Sequence, residues 1–142
     1  MAIHFYDIGE PVRLKNKMAL KYYLTNLFKV ERVELQALTY VFCSDEYLLE
    51  INQEFLQHDD YTDIITFSLG DEGAPVVGEI YISTDRVKEN SFQLATMFHV
   101  ELHRVIFHGA LHLCGYSDKN TDEKKRMREK EDFYLKNFGL LQ

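Results

Sequence analysis

The chain has 142 residues, 46% of them hydrophobic and 13% aromatic, which is enough apolar side chain for one buried core and too much for a disordered chain. Its net charge of −7, with histidines neutral, argues against a coat protein that covers nucleic acid with a basic surface. It leaves room for an enzyme that meets a polyanion through a local patch or a bound cation.

The N-terminal MAIHFYDIGE has no charged segment leading into an apolar one, so no signal peptide is expected. No apolar run approaches the roughly 18 residues of a membrane helix. Cys43 and Cys114 form no close metal or redox motif. A cytoplasmic, non-membrane protein with two reduced thiols is the expectation.

Ile3 to Tyr6 reads as a short first strand. Arg13 to Phe28 carries a helical apolar stripe (Leu14, Met18, Leu20, Tyr22, Leu24, Leu27, Phe28) opposite a basic face, with Pro11 just ahead of it. Leu35 to Cys43 is rich in β-formers and predicts a strand. Ser44 then predicts an N-cap, with Asp45 and Glu46 in the first turn of a helix reaching about Leu56. Its expected buried face is Leu48, Leu49, Ile51 and Phe55. Thr62 to Ser68 and Val76 to Ser83 read as strands joined by the turn-forming GDEGAP. Ser83 or Thr84 predicts the cap of a helix to about Asn90, and Phe92 to Cys114 predicts one or two more. Thr121 is the expected cap of a last helix ending before Gly139, whose alternating charges, Glu131 among them, read as a solvated face. The order of elements predicts a single α+β domain, with a mixed four-stranded sheet, helices packed on it and a central helix carrying a histidine pair.

That pair lies in Phe107 to Asp118, FHGALHLCGYSD. His108 and His112 are spaced i, i+4, so on a helix their rings stand about 40° apart and about 6 Å along the axis, within reach of one cation. Two histidines on one face are more often solvated or core residues than ligands. Here Gly115 reads as a helix C-terminal glycine that turns the chain back, bringing Asp118 toward the same point. Two imidazoles and one carboxylate, with positions left open, suit a catalytic metal. Gly109 stands where a zinc peptidase would carry its glutamate base. His103 is about 140° round the helix from His108 and Cys114 about 200° from His112, so both are expected to face away and to be structural.

The same residues resemble a known family. His108-Gly109, Leu111-His112-Leu113 and Gly115-Tyr116 are similar to the signature of the YbeY-type metalloproteins, bacterial endoribonucleases of ribosomal RNA maturation. Ile51-Asn52, Asp60 to Phe67 (with Tyr61 where proline is usual) and Gly78 to Ser83 resemble further segments of that family, so the likeness runs from about Ile3 to Gly139. It implies the same α+β arrangement and one divalent metal ion on His108, His112 and Asp118, where the family carries a third histidine. Zinc comes first, with manganese, iron or nickel as alternatives. The implied partner is single-stranded ribosomal RNA, with the ribosome or its proteins in addition.

Asp63 and Glu79 fall in matched segments and are candidates to support the metal or touch substrate; each reads equally as a strand-edge carboxylate in solvent. Phe55 and Leu56 occupy the place of a family Tyr-Arg pair, so the arginine's phosphate contact does not carry over. His58 is the nearest substitute by sequence, against its plainer reading as a solvated loop residue. Two other functions remain open from the sequence. One is a metal-dependent hydrolase of another substrate. The other is a non-catalytic RNA- or ribosome-associated protein whose site is closed by a fourth ligand such as Asp122.

Overall fold

The computed structural model describes residues 2–56 and 62–142. Four strands, β1 (Ile3–Asp7), β2 (Leu35–Cys43), β3 (Ile64–Ser68) and β4 (Val76–Ser83), form one sheet in the order β1-β2-β4-β3. β1, β2 and β4 run parallel, and β3 closes one edge antiparallel to β4. Among the described residues there are five helices: α1 (Lys17–Val30), α2 (Asp45–Leu56), α3 (Thr84–Gln93), α4 (Phe98–Leu113) and α5 (Thr121–Asn137). The fold is therefore the single-domain α+β arrangement that the order of elements predicts.

The period-2 geometry of strands sorts the sheet into two faces. Gly78, Ile80 and Ile82 of β4 are buried, with Leu38, Tyr40 and Phe42 of β2, in the main core, where α1, α4 and α5 contribute Leu24, Phe107, Leu111 and Leu135. The other face carries a smaller cluster, Cys43, Leu48, Ile51 and Ile65 beneath α2, extended by Phe67 and Tyr81.

α4 is enclosed from Glu101 to Leu111 apart from His108, a pattern expected of a helix with neighbours on nearly every side. Two features press it against the sheet. Tyr40 donates its hydroxyl to the Ile106 carbonyl at 2.7 Å. Gly109 leaves so little space that an added Cβ would stand 2.8 Å from Ile80 Cδ1 and 3.0 Å from Ile64 Cδ1. Gly109 thus serves close helix–sheet approach in the place where a glutamate base would stand in a zinc peptidase.

Some elements depart from the sequence reading. α1 begins four residues later than expected. Val12 N–H is held by Asp7 Oδ1 at 3.0 Å, and Asn16, in the left-handed region at φ 54°, caps the helix through Ala19 N–H. Met18 and Tyr22 are exposed because the buried stripe is Leu20, Leu24, Leu27 and Phe28, the i, i+4, i+7, i+8 set. On α2 the buried polar Asn52 takes the place expected of Phe55, which is exposed. The last helix is capped by Asn120, in a reciprocal capping box with Glu123, one residue earlier than read from Thr121.

Candidate metal centre

α4 ends in a Schellman motif. Tyr116 N–H bonds to the Leu111 carbonyl at 3.1 Å, Gly115 N–H bonds to the His112 carbonyl at 3.0 Å, and Gly115 sits at φ 104°. A Cβ at Gly115 would be strained by that φ, which is why the reversal needs glycine. The chain then folds back beside the last two turns of α4. Asp118 Oδ2 comes to 3.3 Å from both His108 Nε2 and His112 Nε2. Among the described residues, His108, His112 and Asp118 form the group of His, Cys, Asp and Glu whose ligand atoms, all within 4.8 Å of one another, could hold an ion. Asp122, the suggested fourth ligand, is outside it.

The outer nitrogens fix how the rings are used. His112 Nδ1 faces the Tyr116 carbonyl at 2.9 Å, so it carries the proton and donates. Nε2 of the neutral ring is then a lone pair aimed at the site. His108 Nδ1 faces Glu131 Oε2 at 2.6 Å and donates likewise. Two lone pairs converging on a carboxylate oxygen repel unless a metal ion or a proton lies among them. The donor set therefore fits a divalent ion, held by the arrangement of oriented imidazoles and backing acceptors that metal sites use.

Glu131 was read from the sequence as part of a solvated face and is instead buried. Its second oxygen accepts from Arg104 Nη1 at 3.2 Å, and the same nitrogen reaches Asp132 Oδ1 at 2.7 Å. Arg104 is also buried, with Glu101 Oε1 3.8 Å from its Nε. A line of contacts runs Arg104–Glu131–His108 from α4 to α5 and back. One trace of it in the sequence is that Arg104 stands in the most apolar helix of the chain. Burial works against the charged form of His108. The Glu131 hydrogen bond and the charges of Glu131, Asp118 and Asp63 outweigh it and leave the ring's pKa above the ordinary imidazole value.

A second brace supports the turn. Tyr116 donates its hydroxyl to Glu31 Oε1 at 2.7 Å, and Tyr134 and Lys130 bond the other oxygen of the same carboxylate. Burial tends to raise the pKa of Glu31, but these three hydrogen bonds and the Lys130 charge bring it below the ordinary carboxylate value.

The other expected residues part ways. Asp63, just before β3, lines the cleft with His108 and Asp118. Burial raises its carboxyl pKa, and the opposing pull of His108 and Arg86 does not cancel the rise. Glu79 lies on the α2 face of the sheet, where Tyr81 donates to it, in a separate hollow with Phe55 and Phe67. The structure does not bring Glu79 to the metal group. Leu56, at the place of the family arginine, is half-exposed on the wall of the cleft that holds His112. His58, Asp60 and Tyr61 lie outside the described residues. His103 is fully buried, bonded through Nδ1 to the His99 carbonyl at 2.8 Å and packed by Phe107 and Phe138, away from the site as its helical angle implies.

Two clefts meet at the group. One, of about 420 Å³, runs between α3, α4 and α5; the other, of about 690 Å³, runs along β3 toward α2. Asp63, Ile64, His108 and Asp118 line both.

Residues 10–139 match the family described as Endoribonuclease YbeY. The chain belongs to that family. A YbeY of Cytophaga hutchinsonii is 45% identical over 133 residues, covering 94% of this chain and 93% of the relative. One of Flavobacterium psychrophilum is 51% identical over 107 residues, 74% of each. The solution structure of a Thermotoga maritima protein is 31% identical and superposes with a TM-score of 0.61, over 94% of this chain and 87% of that one. Membership in the YbeY family accords with the three-residue group, since that group is built from the stretch that carries the signature. No helix among the described residues is long and apolar enough to cross a membrane.

Proposed function

We propose that the protein is a metal-dependent, single-strand-specific endoribonuclease of ribosomal RNA maturation in the cytoplasm, with one divalent ion, zinc first, on His108, His112 and Asp118. What supports this reading is the place of the group at the junction of two open clefts that share Asp63, His108 and Asp118, so that an extended strand can cross the ligands. The relatives are named endoribonucleases, which makes RNA the first substrate to test.

When bound, the ion supplies Lewis acidity toward a phosphodiester oxygen and toward water. The protein's own contribution is positional. Glu131 and the Tyr116 carbonyl hold the two imidazoles with Nε2 inward, and the turn at Gly115 delivers Asp118. Asp118, with 39% of its side chain exposed, leaves the cleft side of the group open. Asp63, on the wall of both clefts, is the candidate to hold or release a proton beside the reacting phosphate, and its raised pKa suits that task.

The test is metal content of the native protein and of His112→Ala, together with cleavage of single-stranded RNA with and without chelator. Stoichiometric metal lost in the variant and cleavage abolished by chelator are expected. Absence of metal from carefully prepared native protein would overturn the site. A second reading, a non-catalytic ribosome-associated metalloprotein, is favoured by Leu56, which puts an apolar side chain on the cleft wall in place of a cation. Bound metal without cleavage of any RNA would select it.

A further inference from the structure

The 420 Å³ cleft is more than a margin of the metal group. Its volume is within the range of small-ligand sites, about 300–1,000 Å³. Val87, Val105 and Leu94 give it apolar walls, and Asn90 and Gln93, which carry side-chain amides, are among its lining residues. Deeper in stand Glu101 and Arg104, both more than nine-tenths buried. Arg104 Nε is buried without a hydrogen-bond partner, and the nearest carboxylate oxygen, Glu101 Oε1, is 3.8 Å away, too far to satisfy it. Nε is itself closed off from the cleft, so a bound group would meet Arg104 through the rest of its guanidinium.

Charge narrows the class of ligand. The lining holds four carboxylates, Asp63, Glu101, Asp118 and Glu131, against the two guanidinium groups of Arg104 and Arg128. A phosphate would meet net negative charge here and is better placed at the cation. A neutral, flat group with donors and acceptors on its edge suits the cleft, since amide, carboxylate and guanidinium side chains are those that read base edges. Unpaired bases of single-stranded RNA are bound in this way, splayed from the strand, hydrogen-bonded on an edge and covered by apolar side chains.

We infer that this cleft is a nucleobase pocket, which takes one unpaired base of a nucleotide flanking the phosphate at His108, His112 and Asp118. The inference rests on the endoribonuclease reading for its strand and its phosphate. It adds a specificity determinant, with Asn90 and Gln93 at the mouth, Arg104 and Glu101 at the base, and Arg128 at the rim.

Two measurements on the metal-loaded full chain test it. The first is a cleavage map on a single-stranded RNA of randomised sequence, for the native protein and for Asn90→Ala and Gln93→Ala. The second is a titration with adenosine, guanosine, cytidine and uridine, followed through the NMR signals of the Asn90 and Gln93 side-chain amides. If the native protein cleaves, the map decides. A base preference at one position flanking the cut, relaxed by about tenfold in the variants with metal content unchanged, is the expected result. A flat native map, or a preference that both variants keep, overturns the pocket and leaves the endoribonuclease reading standing. If the native protein cleaves no RNA, that reading fails and the titration decides. A nucleoside that shifts the two amides, and binds about tenfold more weakly to Gln93→Ala, supports a base pocket; no shift with any of the four overturns it.

Discussion

Glu131→Gln changes one oxygen to an NH₂ group and keeps the shape of the side chain. In the native protein both oxygens face donors, Oε2 the His108 Nδ1–H at 2.6 Å and Oε1 the Arg104 guanidinium at 3.2 Å. An amide offers only one oxygen. If that oxygen stays on Arg104, the NH₂ points at His108 Nδ1, and the ring can pair with it only by moving its own proton to Nε2. That proton would occupy the lone pair meant for the metal. If the oxygen turns to His108, the NH₂ meets Arg104, and a buried guanidinium is left with the half-exposed Asp132 and a distant Glu101. The first outcome costs metal affinity and the second costs stability. Loss of an outer partner of a ligating histidine typically lowers metal affinity by about 10–100-fold, equivalent to about 1.4–2.7 kcal/mol. Breaking a buried ion pair on one side costs about 3–5 kcal/mol. Competition of zinc against a chromophoric chelator reads the first, and urea unfolding of the metal-free protein reads the second. Asp132→Asn, altered at a residue that touches Arg104 but not His108, is the control and should bind zinc like the native chain. Native zinc affinity together with native metal-free stability in Glu131→Gln would refute the argument.

Asp118→His would replace the carboxylate by a third imidazole, leaving one more unit of positive charge on the bound ion. It should tighten zinc relative to manganese, and an unchanged zinc-to-manganese affinity ratio would count against the ligand role of Asp118. Gly109→Ala sets a methyl 2.8 Å from Ile80 Cδ1 in a filled core. Overpacking of that kind costs about 1–3 kcal/mol, against a gain of up to about 1 kcal/mol in helix propensity, so a net loss in midpoint on urea unfolding is expected, and a gain would sink the close-packing account. His103 gives the pH prediction. Burial holds its pKa down at about 4, against an ordinary value of 6.5, because a proton on Nε2 would have no partner there. A base with a lowered folded pKa favours the folded state above pH 6.5 and loses that contribution as pH falls toward 4. The full difference is about 3 kcal/mol. Metal-free urea unfolding at pH 7.5 and pH 4.5 should show His103→Leu losing less stability over that interval than the native chain does; equal losses would mean that His103 is not the group responsible.

Local signals were the readable part of this fold. β2 and β4 follow from their β-branched and aromatic runs, α2 from Ser44 and its acidic first turn, and the turn after α4 from Gly115. Each depends on neighbours within a few residues. The three ligands were readable for the same reason: they lie within eleven residues of one another on one helix and its C-terminal reversal. What failed to show was whatever tertiary contact decides. Glu131 is four residues after Met127, on the same helical face, and Met127 is buried, so the periodicity held a hint. The hint was masked by the charges around it, since nothing local tells a carboxylate facing His108 from one facing water. Glu79 misled in the opposite sense. It sits between Gly78 and Ile80, which both face α4, so the strand's period of two puts it on the α2 side, away from the ligands. Alternation alone excluded it from the site once the inward residues were known, whereas membership of a matched segment did not say which face it used.

The two ligand braces also differ in kind, and that bears on how the site tolerates change. His112 is oriented by a backbone carbonyl, that of Tyr116, which exists for any side chain at that position provided the turn forms. His108 is oriented by a carboxylate that only Glu or Asp supplies and that needs Arg104 to remain buried as an ion. The first depends on Gly115 and the Schellman bonds; the second on three side chains from two helices. Substitution of Glu131 should therefore act on the metal through His108, and substitutions at the turn, or of Tyr134 and Lys130 that brace it through Glu31, through His112 and Asp118 together. Because α4 is pinned to the sheet by Gly109 and by the Tyr40 hydroxyl at Ile106, the helix itself offers little movement to compensate for either.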